Sequence, residues 1–300
     1  MRKIFSKRPF FSFSLSGGGA RGLVHIGFLK AMEEEGIKPE CIGGTSIGGI
    51  IGILYSYKLS WKFVYDKIKE SIERGILKKL GFDVFTREEK NIFKRIHDAI
   101  VERINLAKAF LSESVIPLKE TYEAAEEIFG DLRFEDLKLK TFVTAFDLVK
   151  GEYVYINEGL VKDAVIATSA IPGFLPPLKK EGRILVDGGV ISNSPVYFLK
   201  KLYNPRFIIT SRVKNEIETR KDFRGGYEFY QRILQFHRVY FEEREIKESD
   251  FLITFDTQNL SWADFDKIDE FVEKGYLITK ANINKIKRKI LKKKILFWTS

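Results

Sequence analysis

Cys41-Ile42-Gly43-Gly44-Thr45-Ser46-Ile47-Gly48-Gly49 is the stretch whose reading decides the fold. A short β-type run, Cys41–Gly43, passes through glycines into the helical run Gly48–Tyr57. A serine at the corner of a sharp strand-to-helix turn has the form G-x-S-x-G, a nucleophile elbow, spelled here by Gly44, Thr45, Ser46, Ile47 and Gly48. Small residues on both sides permit the turn and expose the hydroxyl. The positive end of the following helix favours negative charge at that point. The same letters also describe a glycine-rich turn capped by serine, so the neighbouring motifs have to decide.

Upstream, Ser16-Gly17-Gly18-Gly19-Ala20-Arg21-Gly22 joins the apolar run Phe10–Ser16 to the helical pattern Gly22–Glu35. Glycines let the backbone approach a ligand closely, and unpaired N–H groups at a helix start face an anion. That is what an oxyanion hole requires, which makes Gly17, Gly18, Gly19 and Arg21 its candidate residues. Gly17, Gly19 and Gly22 also fit G-x-G-x-x-G, and a dinucleotide-binding protein is the rival reading. A dinucleotide site wants an acidic residue at the end of the second strand. Ile42-Gly43-Gly44-Thr45 stands there, and Glu40 precedes the strand. No Lys-Ser/Thr pair follows the glycines, so a Walker phosphate loop is not supported.

Downstream, Val186-Asp187-Gly188-Gly189 ends another apolar run. A carboxylate there can reach a neighbouring elbow and act as general base, or it can be a turn aspartate. The order Ser46, Asp187, His237 also fits a hydrolase triad. Yet His237 lies inside the charged helical run Tyr230–Lys247, His25 sits about a turn into a helix, and His97 is in a charged helical region. None of the three is placed where a catalytic imidazole is wanted.

Further apolar β-rich runs are Thr141–Phe146, Tyr153–Ile156, Arg183–Val186, Phe207–Thr210 and Phe251–Phe255. Helical patterns separate many of them, including Glu88–Phe110. Alternation of this kind predicts an α/β layer fold around a mostly parallel sheet. The Lys150-Gly151 turn suggests a hairpin between Thr141–Phe146 and Tyr153–Ile156. The mainly helical segment 61–130 is either a cap over the site or an ordinary helical layer.

The chain has 300 residues, 44% hydrophobic and 31% charged, enough for one large domain or two small ones. Its 26 Phe residues point to an aromatic core or to an apolar cleft for an acyl chain. One cysteine, Cys41, precludes an internal disulfide framework and reads as a buried strand residue, not a nucleophile. There is no apolar run of about twenty residues and no signal-peptide pattern, so the expected location is cytoplasmic, at most peripheral to a membrane. Eight of the 51 Lys/Arg fall between Lys280 and Ser300, which holds no Asp/Glu, so the net charge of +10 is largely a property of the tail. Nucleic acid is not the expected partner. Within the tail Ile283, Ile286, Ile290 and Leu291 share one helical face among lysines, followed by Phe297 and Trp298. That helix either lies on an anionic membrane or packs on the domain with a solvated basic face.

Taken in order, Gly17-Gly18-Gly19-Ala20-Arg21-Gly22, Gly44-Thr45-Ser46-Ile47-Gly48 and Asp187-Gly188-Gly189 resemble the patatin-like phospholipases. Ala167-Thr168-Ser169-Ala170-Ile171-Pro172-Gly173-Phe174-Leu175-Pro176-Pro177 is similar to the family's segment before Asp-Gly-Gly. Thr144-Ala145-Phe146-Asp147-Leu148 with Lys150-Gly151-Glu152 resembles a further stretch, with Phe146 and Lys150 where the family often has Thr. The likeness spans roughly residues 10 to 200. It implies a three-layer α/β sandwich and a lipid acyl-ester substrate. It also implies a Ser46–Asp187 dyad without a catalytic histidine, an oxyanion loop at Gly18 and Gly19, and no metal or cofactor. A catalytic domain over 1–205, including 61–130, is expected, with strands and helices of 206–300 completing it and a basic amphipathic tail at 280–300. A non-catalytic lipid-surface protein that keeps the fold is the remaining alternative.

Overall fold

The computed structural model describes residues 8–76, 114, 116–214, 219, 221–223, 225–257 and 260–298. At the middle of its eight-stranded sheet lies β1 (Phe11–Leu15). A central strand is covered on both faces, so each side chain must be apolar or small; Ser12, Phe13, Ser14 and Leu15 are all fully buried. β1 pairs in parallel with β2 (Cys41–Gly44) and with β7 (Phe207–Val213). β3 (Lys140–Asp147) continues in parallel beyond β2, and β8 (Phe251–Phe255) beyond β7. The other end is antiparallel. β4 (Glu152–Ile156) makes the expected hairpin with β3, β6 (Arg183–Asp187) also opposes β3, and β5 (Leu178–Lys180) pairs with β6.

Alternate residues of the parallel strands enter different layers. Phe13, Leu15, Ile42, Val143 and Ile209 join one apolar cluster with α1 (Val24–Glu34), α2 (Ile47–Lys58) and α3 (Trp61–Glu73). Cys41, Phe142 and Ile208 join another with α6 (Val196–Tyr203). Helices on both faces of a mostly parallel sheet are therefore the observed architecture, as the alternating pattern predicts. α4 (Leu118–Phe129) and α5 (Val161–Ser169) pack together beside β3. α7 (Gly226–Ile246) precedes β8, and α8 (Ile268–Trp298) ends the described chain. The predicted helix at 88–110 and His97 lie outside the described residues, so of segment 61–130 only α3, α4 and their flanks can be placed.

The basic tail is the second half of α8, and most of its apolar stripe is covered. Ile283, Ile286 and Ile290 are buried in the core. Lys280 and Lys287 hold Glu35 at 2.5 and 2.6 Å and draw its carboxyl down to about 2, chiefly through those hydrogen bonds. Lys293 pairs with Asp250. Of the four stripe residues, the three isoleucines that would enter a bilayer already contact protein, which favours the packed-helix reading, whereas Leu291 is exposed. The side chains of Phe297 and Trp298 lie outside the described residues. No described helix is long and apolar enough to cross a membrane.

α8 approaches α1 closely because glycines face each other at the contact. A Cβ on Gly275 would strike the carbonyl oxygen of Val24, and one on Gly27 would strike that of Val272. Gly275→Ala is expected to destabilise the fold by about 2 kcal/mol, since backbone crowding outweighs the better helix propensity of alanine. Urea denaturation measures it; an unchanged or raised midpoint would show that the helix pair can separate at no cost.

Candidate active site

The sheet register brings the motifs together. β3 pairs its Val143 with Gly44 of β2 and its Ala145 with Asp187 of β6. Two residues along one strand therefore separate the end of the strand leading to Ser46 from the strand end carrying Asp187.

Ser46 occupies the corner between β2 and α2 with φ 53° and ψ −127°, a conformation that costs a non-glycine residue of the order of 1–3 kcal/mol. Its surroundings fix that geometry. The Ser46 N–H donates to Thr168 Oγ1 at 3.0 Å, and the Thr168 hydroxyl donates to the Thr144 carbonyl at 2.7 Å. Thr45 exchanges a hydrogen bond with the Thr144 hydroxyl at 2.8 Å, and its N–H donates to the Leu15 carbonyl at 3.2 Å. Gly44 and Gly48 are required by space: a Cβ on Gly48 would strike the Leu15 carbonyl, and one on Gly44 would strike Gly49.

The Ser46 hydroxyl faces the Asp187 carboxyl closely enough to favour its charged form. Asp187 is buried, and its Oδ1 also accepts the Gly189 N–H at 2.7 Å. Burial raises its pKa to about 6, outweighing the opposing pull of the Gly189 N–H, Ser46 and Arg238. A carboxylate with a pKa raised to about 6, beside a serine at a strained corner, is matched to the work of a general base.

The glycine loop lies against this pair. A Cβ on Gly17 would sit 3.5 Å from that of Ser46. The Gly17 N–H donates to the Asn193 carbonyl at 3.0 Å and the Ala20 N–H to the Trp262 carbonyl at 2.7 Å. Among the described residues, the N–H groups of Gly18 (φ 154°) and Gly19 (φ 59°) have no acceptor. Gly17 thus provides closeness, and Gly18 and Gly19 provide free donors. The Arg21 guanidinium reaches the Leu260 carbonyl at 3.0 Å and ties the loop to the chain before α8.

His25 is fully buried beneath this loop. Its Nε2 sits 2.8 Å from the Ser16 carbonyl, which requires a proton there, so Nδ1 accepts from the Ser211 hydroxyl at 2.7 Å. Burial lowers its pKa to about 4. Both nitrogens are engaged away from Ser46, and the ring braces the loop. His237 is exposed on α7.

Asn193 and Trp262 were not singled out by the sequence. Asn193 Oδ1 stands where a Cβ on Gly17 or Gly189 would go, so one side chain keys the first motif to the third. The polar triplet Ser192-Asn193-Ser194 before Pro195, a few residues past Asp187, was the available signal. Trp262 acts through a backbone carbonyl and left no signal.

An apolar cleft of about 100 Å³ adjoins the site. Ser46 and Gly19 line it with Ile47, Ile50, Ala124, Ile128, Val165 and Leu175, drawn largely from α2, α4 and α5. Cavities of about 150 Å³ take up a benzene ring, so there is room here for a segment of one hydrocarbon chain.

Comparison with known proteins gives one family. The family model described as patatin-like phospholipase matches residues 13–200. Lysophospholipase nte1 of Emericella nidulans is 31% identical over 189 residues, covering 63% of this chain and 11% of that protein. Lysophospholipase NTE1 of Yarrowia lipolytica is 30% identical over 186 residues, covering 62% and 11%. The chain therefore spans about a tenth of the length of these curated relatives. Among solved structures, VipD from Legionella pneumophila superposes with a TM-score of 0.48 at 14% identity, covering 93% of this chain and 67% of that one.

Proposed function

This chain belongs to the patatin-like phospholipase family, a family of carboxylic ester hydrolases, and from that premise we propose that it cleaves lipid acyl esters with Ser46 and Asp187 as a dyad. The observation that carries the proposal is that the sheet register sets the Ser46 hydroxyl beside the buried Asp187 carboxyl, with the free N–H groups of Gly18 and Gly19 next to them. Asp187 takes the Ser46 proton as Oγ attacks the ester carbonyl. The negative charge on the carbonyl oxygen is held by Gly18 and Gly19 at the positive end of a helical turn. The alcohol leaves with the proton from Asp187. Water, deprotonated by the same carboxylate, then releases the fatty acid from Ser46. The two engaged or exposed histidines support a dyad over a triad. The apolar cleft at Ser46 supports a hydrocarbon acyl group as substrate, and the lysophospholipases among the relatives make a lysophospholipid the first compound to assay.

A fluorophosphonate probe tests the reading, because only an activated serine reacts with it. The wild-type chain is expected to be labelled on Ser46 and to release fatty acid from lysophosphatidylcholine, and Ser46→Ala to do neither. Labelling that persists in Ser46→Ala, or no labelling of wild type, would sink the assignment and favour the non-catalytic alternative.

A further inference from the structure

α7 is amphipathic the wrong way round for a helix packed on a protein. The side chains shielded from solvent recur at helical spacing: Glu228, Arg232, Gln235, Val239, Glu242 and Ile246, with Arg238 and Glu245 on the same side. Most of them are polar or charged. The outward arc carries large apolar groups: Phe229, Tyr230, Ile233, Phe236, Tyr240 and Phe241 are each between 49% and 62% exposed. A surface helix ordinarily shows the reverse, with the apolar stripe inward.

The inward polar face has a partner. Glu242 is fully buried, accepting from the Ser194 hydroxyl at 2.8 Å and pairing with Arg212 at 3.3 Å. Arg212 also holds Glu243 at 2.7 Å, and Glu245 accepts the Tyr197 N–H at 3.3 Å. These contacts fix the helix to Ser194 in the loop after Asp187, to α6 and to β7, and Arg238 lies near enough to act on the Asp187 charge. The C-terminal half of the helix is therefore anchored beside the reaction centre, and along its outward arc Phe223 packs on Phe229 while the large apolar side chains remain about half exposed.

We propose that this outward face of α7 is where the chain docks on an anionic phospholipid bilayer. Phe, Tyr and Ile on one side of a helix suit the boundary between headgroups and acyl chains. Charge is compatible with the same partner: the acids of the helix point inward or are paired, and the exposed arc carries Arg244. Position selects it too, because docking there brings the lipid to the dyad. The choice of bilayer rests on the acyl-ester reading of Ser46, but the binding itself needs no turnover.

Sedimentation with vesicles of phosphatidylcholine and phosphatidylglycerol tests the proposal, in the Ser46→Ala background so that catalysis plays no part. Adding Phe229→Ser, Ile233→Ser and Phe236→Ser is expected to weaken vesicle partitioning by at least about tenfold, since each side chain gives up apolar burial. With Ser46 restored, hydrolysis of a soluble short-chain ester should stay within about twofold, because these side chains touch solvent and not the site. A Phe236→Trp reporter should shift its emission to the blue on the same vesicles. Undiminished partitioning of the triple variant, or no shift of the reporter, would overturn the proposal. So would a wild-type dimer in analytical ultracentrifugation that the same three substitutions dissolve, for the face would then belong to a second copy.

Discussion

Asp187→Asn is expected to lower kcat by about 10³-fold or more while making the folded chain more stable at pH 8. The two effects share a cause. Burial raises the Asp187 pKa from 3.8 to about 6, so the charged form is disfavoured in the native state. Unfolding releases that carboxyl to its ordinary value. Between about pH 4 and 6 the native state holds the extra proton, and stability falls as pH rises through this window. Above it the full cost, about 3 kcal/mol for a shift of this size, is present. Asparagine removes the charge and keeps an oxygen for the Gly189 N–H. A gain of about 1–2 kcal/mol at pH 8 is expected, shrinking toward zero near pH 4.

His25 tilts the other way. Its pKa is lowered from 6.5 to about 4, so it contributes stability that is complete above about pH 6.5 and lost as pH falls toward 4. In the wild type the two slopes oppose each other between pH 4 and 6. Glu245, raised to about 7 chiefly by burial, adds to the Asp187 side. Asp187→Asn should therefore expose a steeper acid loss than the wild type shows. Denaturant titrations of both proteins at pH 4, 5, 6 and 8 decide it, and a variant no more stable than wild type at pH 8 would show that the buried charge carries no cost. Wild-type kcat/KM on a soluble ester should rise with pH and level off above about 6, as the base deprotonates. His237→Ala should leave it unchanged within about twofold, and a large loss there would restore a triad.

The sequence was legible where one local rule decides the outcome. The apolar runs Phe10–Ser16 and Phe207–Thr210 read as strands, and they pair with each other inside the sheet. The Lys150-Gly151 turn set the β3–β4 pairing. β5 went unread because it is three residues long with two exposed lysines. The direction of β6 was not legible, since a strand's polarity in the sheet depends on its connections and not on its pattern. The α8 stripe of Ile283, Ile286, Ile290 and Leu291 suited protein or bilayer, and only the packing of the long helix, close to α1 at Gly27 and Gly275, shows the isoleucines in the core and Leu291 outside it. α7 was legible as the charged helical run Tyr230–Lys247, but which side faces the protein was not, and only three-dimensional contacts show that Glu242 is inside and Phe229 outside. At the site, Ser46 and Asp187 were visible as motifs, whereas the register on β3 that joins them, the Asn193 key and the engaged Gly17 N–H are long-range facts.

Ala124→Phe should separate long acyl chains from short ones. Ala124 is buried on α4 and lines the same cleft as Ser46. A benzyl side chain there would occupy much of a space of about 100 Å³. An acyl chain longer than the remaining room loses burial at about 0.8 kcal/mol per methylene. Excluding four methylenes removes about 3 kcal/mol, or roughly a hundredfold in kcat/KM. An acetyl ester puts no methylene into that space, so its hydrolysis should stay within about threefold and at the same time report that the variant is folded. Competition between long- and short-chain esters, read as a ratio of kcat/KM, removes any error in active enzyme concentration. If the ratio does not move, the acyl group leaves Ser46 by another route and the cleft between α2, α4 and α5 is core space only. If both rates fall together, the phenyl ring has displaced α5, and with it Thr168, whose hydroxyl holds the Ser46 N–H. A shifted ratio with the acetyl rate intact is the single outcome in which this cleft selects the substrate.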